Sequence, residues 1–464
     1  MLCNWKLSDL QQPLAALDCQ GEALIQGVST DSRSLKAGDL FIALSGPNFD
    51  GNRFVASAQQ AGAVAAIVSE LQPVELPQLL VKDTRIALGQ LARLHRQAFE
   101  GPLVAITGSS GKTSVKEMLA RICEQRGPVL ATRGNLNNDI GAPLTLLSLQ
   151  PEHQYAVVEL GASGRGEIAY TTDLARPDVA ILNNAGGAHL EGFGSLQGVV
   201  EAKGEIFDGL QPDGVGVVNL DDANAGYWLE RLEGRKLRTF SLSSPMADLF
   251  ANHLDTDEDG CYRFVLNTHD GQSQIKLQVM GRHMVANALA AASAANALGF
   301  ELEPIRRGLE SYTGVAGRLA PKPGLNGSRI IDDSYNANPD SVKAAIRVLA
   351  SLPGTRCLVL GDMGELGPNA AELHAEIGRF AAEQQLDAVY TAGQLSRHTV
   401  EAFTKSLAAA GAEAQAQAFE DKQALLQQLR PMLDSQTSVL IKGSRSAAME
   451  QVVVGLTAAA GNEG

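Results

Sequence analysis

The 464-residue chain lacks the features that would tie it to a membrane, to nucleic acid or to an oxidising compartment. No apolar run approaches the roughly 18 residues needed to cross a bilayer. The start, MLCNWKLSDLQQ, has no basic-then-apolar leader pattern. There is no Lys/Arg-rich run, and the formal net charge is −14, so a nucleic-acid footprint is not expected. An anionic ligand must then be captured by local sites rather than by the overall field. Cysteine is scarce: Cys3, Cys19, Cys123, Cys261 and Cys357 are scattered, odd in number and without C-x-x-C spacing. That argues against a disulfide framework or a zinc cluster and for a reducing compartment. Fixed-period repeats and low-complexity blocks are also missing, although 404–427 is rich in Ala and Gln. A cytosolic chain without membrane insertion or nucleic-acid partner is the simplest expectation, with a monomer as the default state.

What is present is an ordinary composition, 45% hydrophobic and 19% charged. The length is too great for one core, and about two to four domains are expected. From about residue 100, short apolar runs alternate with helix-period segments. The runs are LVAI (103–106), YAVVEL (155–160), DVAIL (178–182), VGVV (215–218), RIID (329–332), CLVL (357–360), AVYT (388–391) and SVLI (438–441). Over Thr113–Cys123, Val115, Met118, Leu119 and Ile122 recur at helical spacing. Such alternation predicts α/β architecture with parallel sheets wound by helices. One seam falls near 84–101, a helix-like stretch, and another in the Gly- and Pro-rich segment 313–328. Three domains follow, over 1–83, 84–316 and 317–464. The first is mixed α/β and contains no Gly-x-Gly-x-x-Gly.

In wound parallel sheets, ligands gather at the carboxyl ends of the strands. Six of the apolar runs end in groups able to bind phosphate, metal or amide: Thr107 to Lys112, Glu159, Asn183-Asn184, Asp332-Asp333-Ser334, Gly361-Asp362 and Lys442 to Arg445. Polar residues at strand ends are common, but this uniform chemistry is more than loops alone supply. The first of these ends is a phosphate loop that breaks the usual pattern, because Ile106 stands where Gly, four residues, Gly-Lys-Ser/Thr would place its first glycine. Gly108 and Gly111 can still supply the permissive backbone of a tighter loop. The helix that follows sets its positive end against the phosphates. Gly108, Ser109, Ser110, Gly111, Lys112, Thr113 and Ser114 thus form the predicted nucleotide site, with Lys112 on the β/γ oxygens and the Thr113 hydroxyl on Mg²⁺.

The other positions are weaker taken singly. Glu159 stands where a second magnesium anchor would, although a lone glutamate there is more often not a ligand. His189 lies in the Gly-rich loop NNAGGAHLEGFGS and reads equally as ligand or structural residue. Lys203 lies in an apparently helical stretch, and local sequence alone favours a solvated lysine. Arg318 follows a glycine hinge, and IDDSYNANP suits ribose and base contacts, or equally an ordinary turn. Lys442-Gly443-Ser444-Arg445 at a strand–helix junction could bind a further anion, but as a tetrapeptide it is weak.

As an ordered set the motifs say more. ITGSSGKTS (106–114), GNLNNDIG (134–141), VELGA (158–162), AHLEGFGS (188–195), AKGEIF (202–207), GRHMVANALAA (281–291), GRL (317–319), DDSYNANP (332–339), GDMGELG (361–367) and KGSRSAAME (442–450) together resemble the Mur ligases, and the likeness runs from TDSR (30–33) almost to the end. The resemblance implies an N-terminal domain for a UDP-sugar peptide, a central ATPase with a parallel sheet and a C-terminal Rossmann-like domain. It also implies the chemistry: the terminal carboxylate of a UDP-N-acetylmuramoyl-tripeptide takes the γ-phosphate of ATP, and the amine of D-Ala-D-Ala attacks the acyl phosphate. Lys112 and Thr113 match the family's phosphate and metal residues, and Glu159 and His189 match magnesium ligands, two ions being expected. Lys203 matches a lysine that CO₂ carbamylates in several members. Asn287, Arg318 and Asp333 match ATP contacts, with Tyr335 beside the nucleotide. Asn135, Asn137 and Asn138 lie in the segment that contacts the UDP-tripeptide. Ser29, Thr30, Ser32, Arg33 and the Gly46-Pro47-Asn48 turn look like uridine-diphosphate contacts, and Lys442, Ser444 and Arg445 like further substrate contacts.

Rival readings fit less well. Family members that add diaminopimelate carry Asp-Asn-Pro-Arg where this chain reads GDMGELG. Those adding the first two residues use a Rossmann-like N-terminal domain, whose glycine fingerprint is missing from 1–83. Folylpolyglutamate synthetases lack a UDP-binding domain. A nucleotide switch would leave Lys203, His189 and KGSR without purpose, and a kinase would need a separate lid or acceptor motif. The third residue of the tripeptide is not legible.

Overall fold

A computed structural model describes residues 2, 4–46, 49–187 and 190–457. It contains three α/β domains, each built on its own sheet. The N-terminal sheet has the order Asp18–Gln20, Gln78–Leu80, Ala65–Val68, Asp39–Ile42, Gly27–Ser29, parallel except for its first pair. The helix Thr84–Gln97 then begins on Asp83, whose carboxylate accepts from the Arg85 and Ile86 amides and caps the first turn. Its apolar face (Ala87, Leu88, Leu91, Ala92) shares one core with Leu40 and Ile67 of the first domain and with Leu103 and Ala105 of the central one. The first seam is therefore a packed one.

The central sheet runs Val129–Ala131, Tyr155–Glu159, Leu103–Thr107, Val179–Leu182, Val215–Asn219, Lys236–Ser241, Leu249–Thr256, Cys261–Thr268, Gly271–Met280. Its strands are parallel as far as Leu249–Thr256, and the last two pairings are antiparallel. The parallel sheet expected from the sequence is present and continues into an antiparallel end. The links 257–260 and 269–270 are too short for a crossover, so these strands can pair only as hairpins. Leu103–Thr107 is buried along its whole length between two parallel neighbours, and Ile106 is part of that core. The following helix, Lys112–Cys123, packs Val115, Met118, Leu119 and Ile122 against the opposite face of the sheet from Thr84–Gln97.

The C-terminal sheet has the order Ala320–Pro323, Arg329–Asp333, Thr437–Lys442, Thr355–Gly361, Ala388–Ala392, Gln415–Phe419, parallel after the first antiparallel pair. The strand Thr437–Lys442 separates two strands consecutive in the chain. The loops after Arg329–Asp333 and Thr355–Gly361 therefore part and leave a crevice at the carboxyl ends. That crevice faces the phosphate loop of the central domain. No helix among the described residues is long and apolar enough to cross a membrane.

Candidate active site

A cavity of about 800 Å³ lies between the central and C-terminal domains, with the phosphate loop on one wall and the ends of the C-terminal strands on the other. The loop turns through Gly108 and Gly111, the latter at φ 79°. A Cβ at Gly111 would stand 2.4 Å from Asn287 Oδ1 and 2.5 Å from Asn183 Nδ2, so both space and backbone require glycine. The Ser109 amide donates to the Asn184 carbonyl (3.0 Å) and the Ser110 amide to Asn184 Oδ1 (2.9 Å), which ties the loop to the end of the neighbouring strand. Asn183 Nδ2 donates to both the Ser110 carbonyl and Asn287 Oδ1, while its own Oδ1 is buried without a partner at the cavity wall. The first-turn amides of Lys112–Cys123 have no intrahelical acceptors and point along the positive end of the helix, an arrangement suited to phosphate.

Lys112 lines the cavity and donates to the Gly108 carbonyl at 2.6 Å. Desolvation lowers its pKa, Glu159 opposes that shift and Arg318 adds to it. Thr113 Oγ1 donates to Glu159 Oε2 (2.9 Å), and Asn137 Nδ2 donates to Glu159 Oε1 (2.8 Å). A buried hydroxyl and a buried carboxylate thus meet below the phosphate loop, a hard-oxygen donor set of the type magnesium takes. Arg318 crosses from the C-terminal domain, donates to Thr113 Oγ1 at 2.9 Å and lies 4.4 Å over the Tyr335 ring. Behind it Asp333 pairs with Lys442 at 2.7 Å and accepts from the Leu319 amide. Burial pushes the Asp333 pKa up against the pull of Lys442.

Lys203 corrects the local reading of a solvated side chain. It lies near the end of the helix Leu196–Gly204, 1% exposed, with its nitrogen 5.3 Å from the centre of the Phe193 ring. Burial, then the charge of Lys112, brings its pKa down from 10.5 to about 7, with Glu167, Glu205 and Glu159 pulling the other way. Such an amine is largely neutral just above neutrality, as carbamylation requires.

Among the predicted positions, Ser109, Ser110, Gly111, Ser114, Asn287, Arg318, Asp333 and Tyr335 border the cavity with Lys112, Thr113 and Glu159. Asn135, Asn137, Asn138, Lys442, Ser444 and Arg445 border it too. Some already have local roles. Asn138 Oδ1 accepts from the Ile140 and Gly141 amides, at the start of the next helix, and Ser444 donates to the Asp362 carbonyl. Ser29, Thr30, Ser32, Arg33 and Gly46 belong to the N-terminal domain and do not line this cavity. There Arg33 is exposed and held by Asp31 at 2.7 Å. His189, Pro47 and Asn48 lie outside the described residues. Sequence reasoning missed Asp340, whose Oδ2 accepts from the Gly187 amide across the domain cleft (3.1 Å). No local signal marks it, since an aspartate after Asn-Pro at a helix start is an ordinary first-turn residue.

The chain matches the family descriptions "Mur ligase family, catalytic domain" over residues 24–96, "Mur ligase middle domain" over 106–295 and "Mur ligase, glutamate ligase domain" over 317–445. It is 45% identical over 431 residues to the UDP-N-acetylmuramoyl-tripeptide–D-alanyl-D-alanine ligase of Escherichia coli, covering 92% of this chain and 93% of the relative. It is 34% identical to the ligase of the same name from Bacillus subtilis, covering 93% of each. Among solved structures it is similar to a crystal structure of MurF from Acinetobacter baumannii, with a TM-score of 0.90 and 39% identity, covering 97% of this chain and 98% of that one. It is also similar to the MurF ligase of Thermotoga maritima in complex with ADP, with a TM-score of 0.83 and 28% identity, covering 92% and 96%. With three family domains in sequence and relatives matched over nearly their full length, the chain belongs to the Mur ligase family.

Proposed function

We propose that this chain is an ADP-forming ligase that joins D-alanyl-D-alanine to the UDP-N-acetylmuramoyl-tripeptide, giving the pentapeptide precursor of peptidoglycan. The observation that carries this is the facing of two charge sets across one cavity: Lys112, Thr113 and Glu159 on the central wall, Arg318 and the Asp333–Lys442 pair on the other. One set suits the phosphates of ATP, and the other closes over the nucleotide from the second domain.

A carboxylate is a poor acyl donor, and the chemistry remedies this in two steps. An oxygen of the tripeptide's terminal carboxylate attacks the γ-phosphorus, the bond to the bridging oxygen breaks and ADP leaves. The amine of D-Ala-D-Ala then attacks the acyl carbon, phosphate departs with the carboxylate oxygen it received, and the nitrogen loses a proton. Lys112 and Arg318 neutralise the charge that develops on the transferring phosphoryl group, and the cation–π contact with Tyr335 helps hold Arg318. Thr113 and Glu159 would hold Mg²⁺, with His189 as a further ligand and Lys203, once carbamylated, supporting a second ion. The metal supplies charge neutralisation at the phosphates when bound. Asn135, Asn137 and Asn138, which line the cavity, would meet the tripeptide end of the UDP-sugar. Ser29, Thr30, Ser32, Arg33 and the 46–48 turn would hold the uridine diphosphate, and Lys442, Ser444 and Arg445 would make further substrate contacts. Domains over 1–83, 84–316 and 317–464 divide these tasks, and a cytoplasmic monomer is the expected working form.

The test is ADP release with ATP, UDP-tripeptide and D-Ala-D-Ala, repeated with hydroxylamine to trap the activated carboxylate. ADP formation should depend on the UDP-peptide and yield a pentapeptide. Turnover indifferent to the dipeptide, or AMP as product, would refute the proposal.

A further inference from the structure

Lys116 is a charged residue that the ligation chemistry above does not use. It lies one turn beyond Lys112 on the helix Lys112–Cys123, on a stretch whose other members fill the core, and it is 1% exposed. Burying an ammonium is costly unless it is paired and hydrogen-bonded, and a methionine would fill the same space without that cost. Lys116 Nζ donates to the Thr132 carbonyl at 2.6 Å and pairs with Glu117 Oε1 at 2.6 Å.

Thr132 is equally buried and follows the strand Val129–Ala131. Its amide donates to the Val157 carbonyl (3.1 Å), and its Oγ1 accepts from the Glu159 amide (2.9 Å). The Glu159 carboxylate in turn accepts from Thr113. The contacts close a circuit: Thr113, one turn of helix to Lys116, the carbonyl and hydroxyl of Thr132, the backbone of Glu159, and back through its carboxylate to Thr113. Thr132 also begins the segment that returns through Asn137 to the other carboxylate oxygen of Glu159.

We propose that Lys116 is a positioning residue for the divalent-cation site: by holding Thr132 it fixes the Glu159 backbone at the separation from Thr113 at which both side-chain oxygens can serve one ion. This rests on the assignment of Thr113 and Glu159 as cation ligands made above. Loss of an outer partner of this kind costs about 10–100-fold in metal affinity.

The experiment measures Mn²⁺ binding to the intact protein with ADP by electron paramagnetic resonance, alongside thermal unfolding of the metal-free form. Lys116→Met and Thr132→Val should each raise the Mn²⁺ dissociation constant by about 10–100-fold. The double variant should be little worse than the more severe single one, because both act through the same link. Met118→Ala, which loosens the same helix without touching the circuit, should lower the unfolding temperature yet leave Mn²⁺ affinity within about twofold, as an uncoupled site does. Unchanged Mn²⁺ affinity in the two polar variants, additive losses in the double variant, or an equal loss in Met118→Ala would overturn the proposal. Should Lys116→Met fail to fold, the near-isosteric Thr132→Val decides on the same readout. Wild-type protein that binds no Mn²⁺ with ADP would remove the cation site itself and this inference with it, a result distinct from an unaffected variant.

Discussion

Replacing Lys203 by methionine keeps the approximate shape of the side chain and deletes its titrating nitrogen. In the folded protein that nitrogen has a pKa of about 7 against the usual 10.5, chiefly because it is buried and secondarily because Lys112 is near. At pH 8 about nine-tenths of such an amine is neutral, against about 0.3% of an ordinary lysine, roughly a 300-fold gain in the form that captures CO₂. The same shift has a stability consequence with a definite sign. Between about pH 7 and 10.5 the unfolded chain holds a proton that the folded chain does not, so this group makes stability rise with pH across that window. Below about pH 7 both states are protonated and the fold bears the full cost of the buried charge, on the order of several kcal/mol. Metal-free Lys203→Met should therefore resist urea better than wild type at pH 6, and the gap should shrink as pH rises towards 10. The assay is the urea midpoint at pH 6, 7, 8 and 9 in a chelating buffer free of bicarbonate. Ligase activity supplies the second readout. At fixed CO₂ pressure, converting the ammonium to a carbamate releases two protons, so the wild-type rate under limiting CO₂ should fall below pH 7 by about a hundredfold per unit, and Lys203→Met should show no response to CO₂. A wild-type-to-variant stability gap that stays constant from pH 6 to 9, with activity indifferent to CO₂, would refute the reasoning.

Other perturbations bear on separate parts of the site. Lys112→Ala should lower kcat roughly 10²–10³-fold, since one contact to the developing charge is lost, and circular dichroism should show the fold unchanged. Gly161→Ala places a Cβ 2.9 Å from Asn137 Cγ and Oδ1, so the amide must leave Glu159; the Mg²⁺ concentration for half-maximal rate should rise by about tenfold or more. Arg318→Lys keeps the charge but loses the guanidinium that lies over the Tyr335 ring, and the KM for ATP should rise by about tenfold.

Much of this was legible because the central motif is local. Strand, glycine turn and helix N-terminus succeed one another within Leu103–Cys123, so the spacing of Gly108, Gly111, Lys112 and Thr113 already determines what the loop can grip. Ile106 departs from the usual pattern because it lies inside the buried strand, which runs on through Thr107, and the loop proper begins after that strand ends. Lys203 was not legible in the same way. On Leu196–Gly204 the residues Val199, Val200 and Ala202 are buried together with it, so periodicity cannot tell an inward lysine from a solvated one. The antiparallel end of the central sheet also escaped the strand–helix rhythm, because 249–280 contains strands without intervening helices. Arg318 to Thr113 and Asp340 to Gly187 join positions 205 and 153 residues apart, and such contacts exist only once the domains are assembled. Lys116 sits in a helix whose apolar period was read correctly, yet nothing in that period announces that a lysine has turned inward to a carbonyl.

The transfer of phosphate onto a carboxylate leaves an atomic trace. If the tripeptide's terminal carboxylate is labelled with ¹⁸O and one turnover is run with ATP and D-Ala-D-Ala, the phosphate released should carry one labelled oxygen and the new amide carbonyl should retain the other. Unlabelled phosphate alongside pentapeptide product would mean that no acyl phosphate formed, and would contradict the account at its centre.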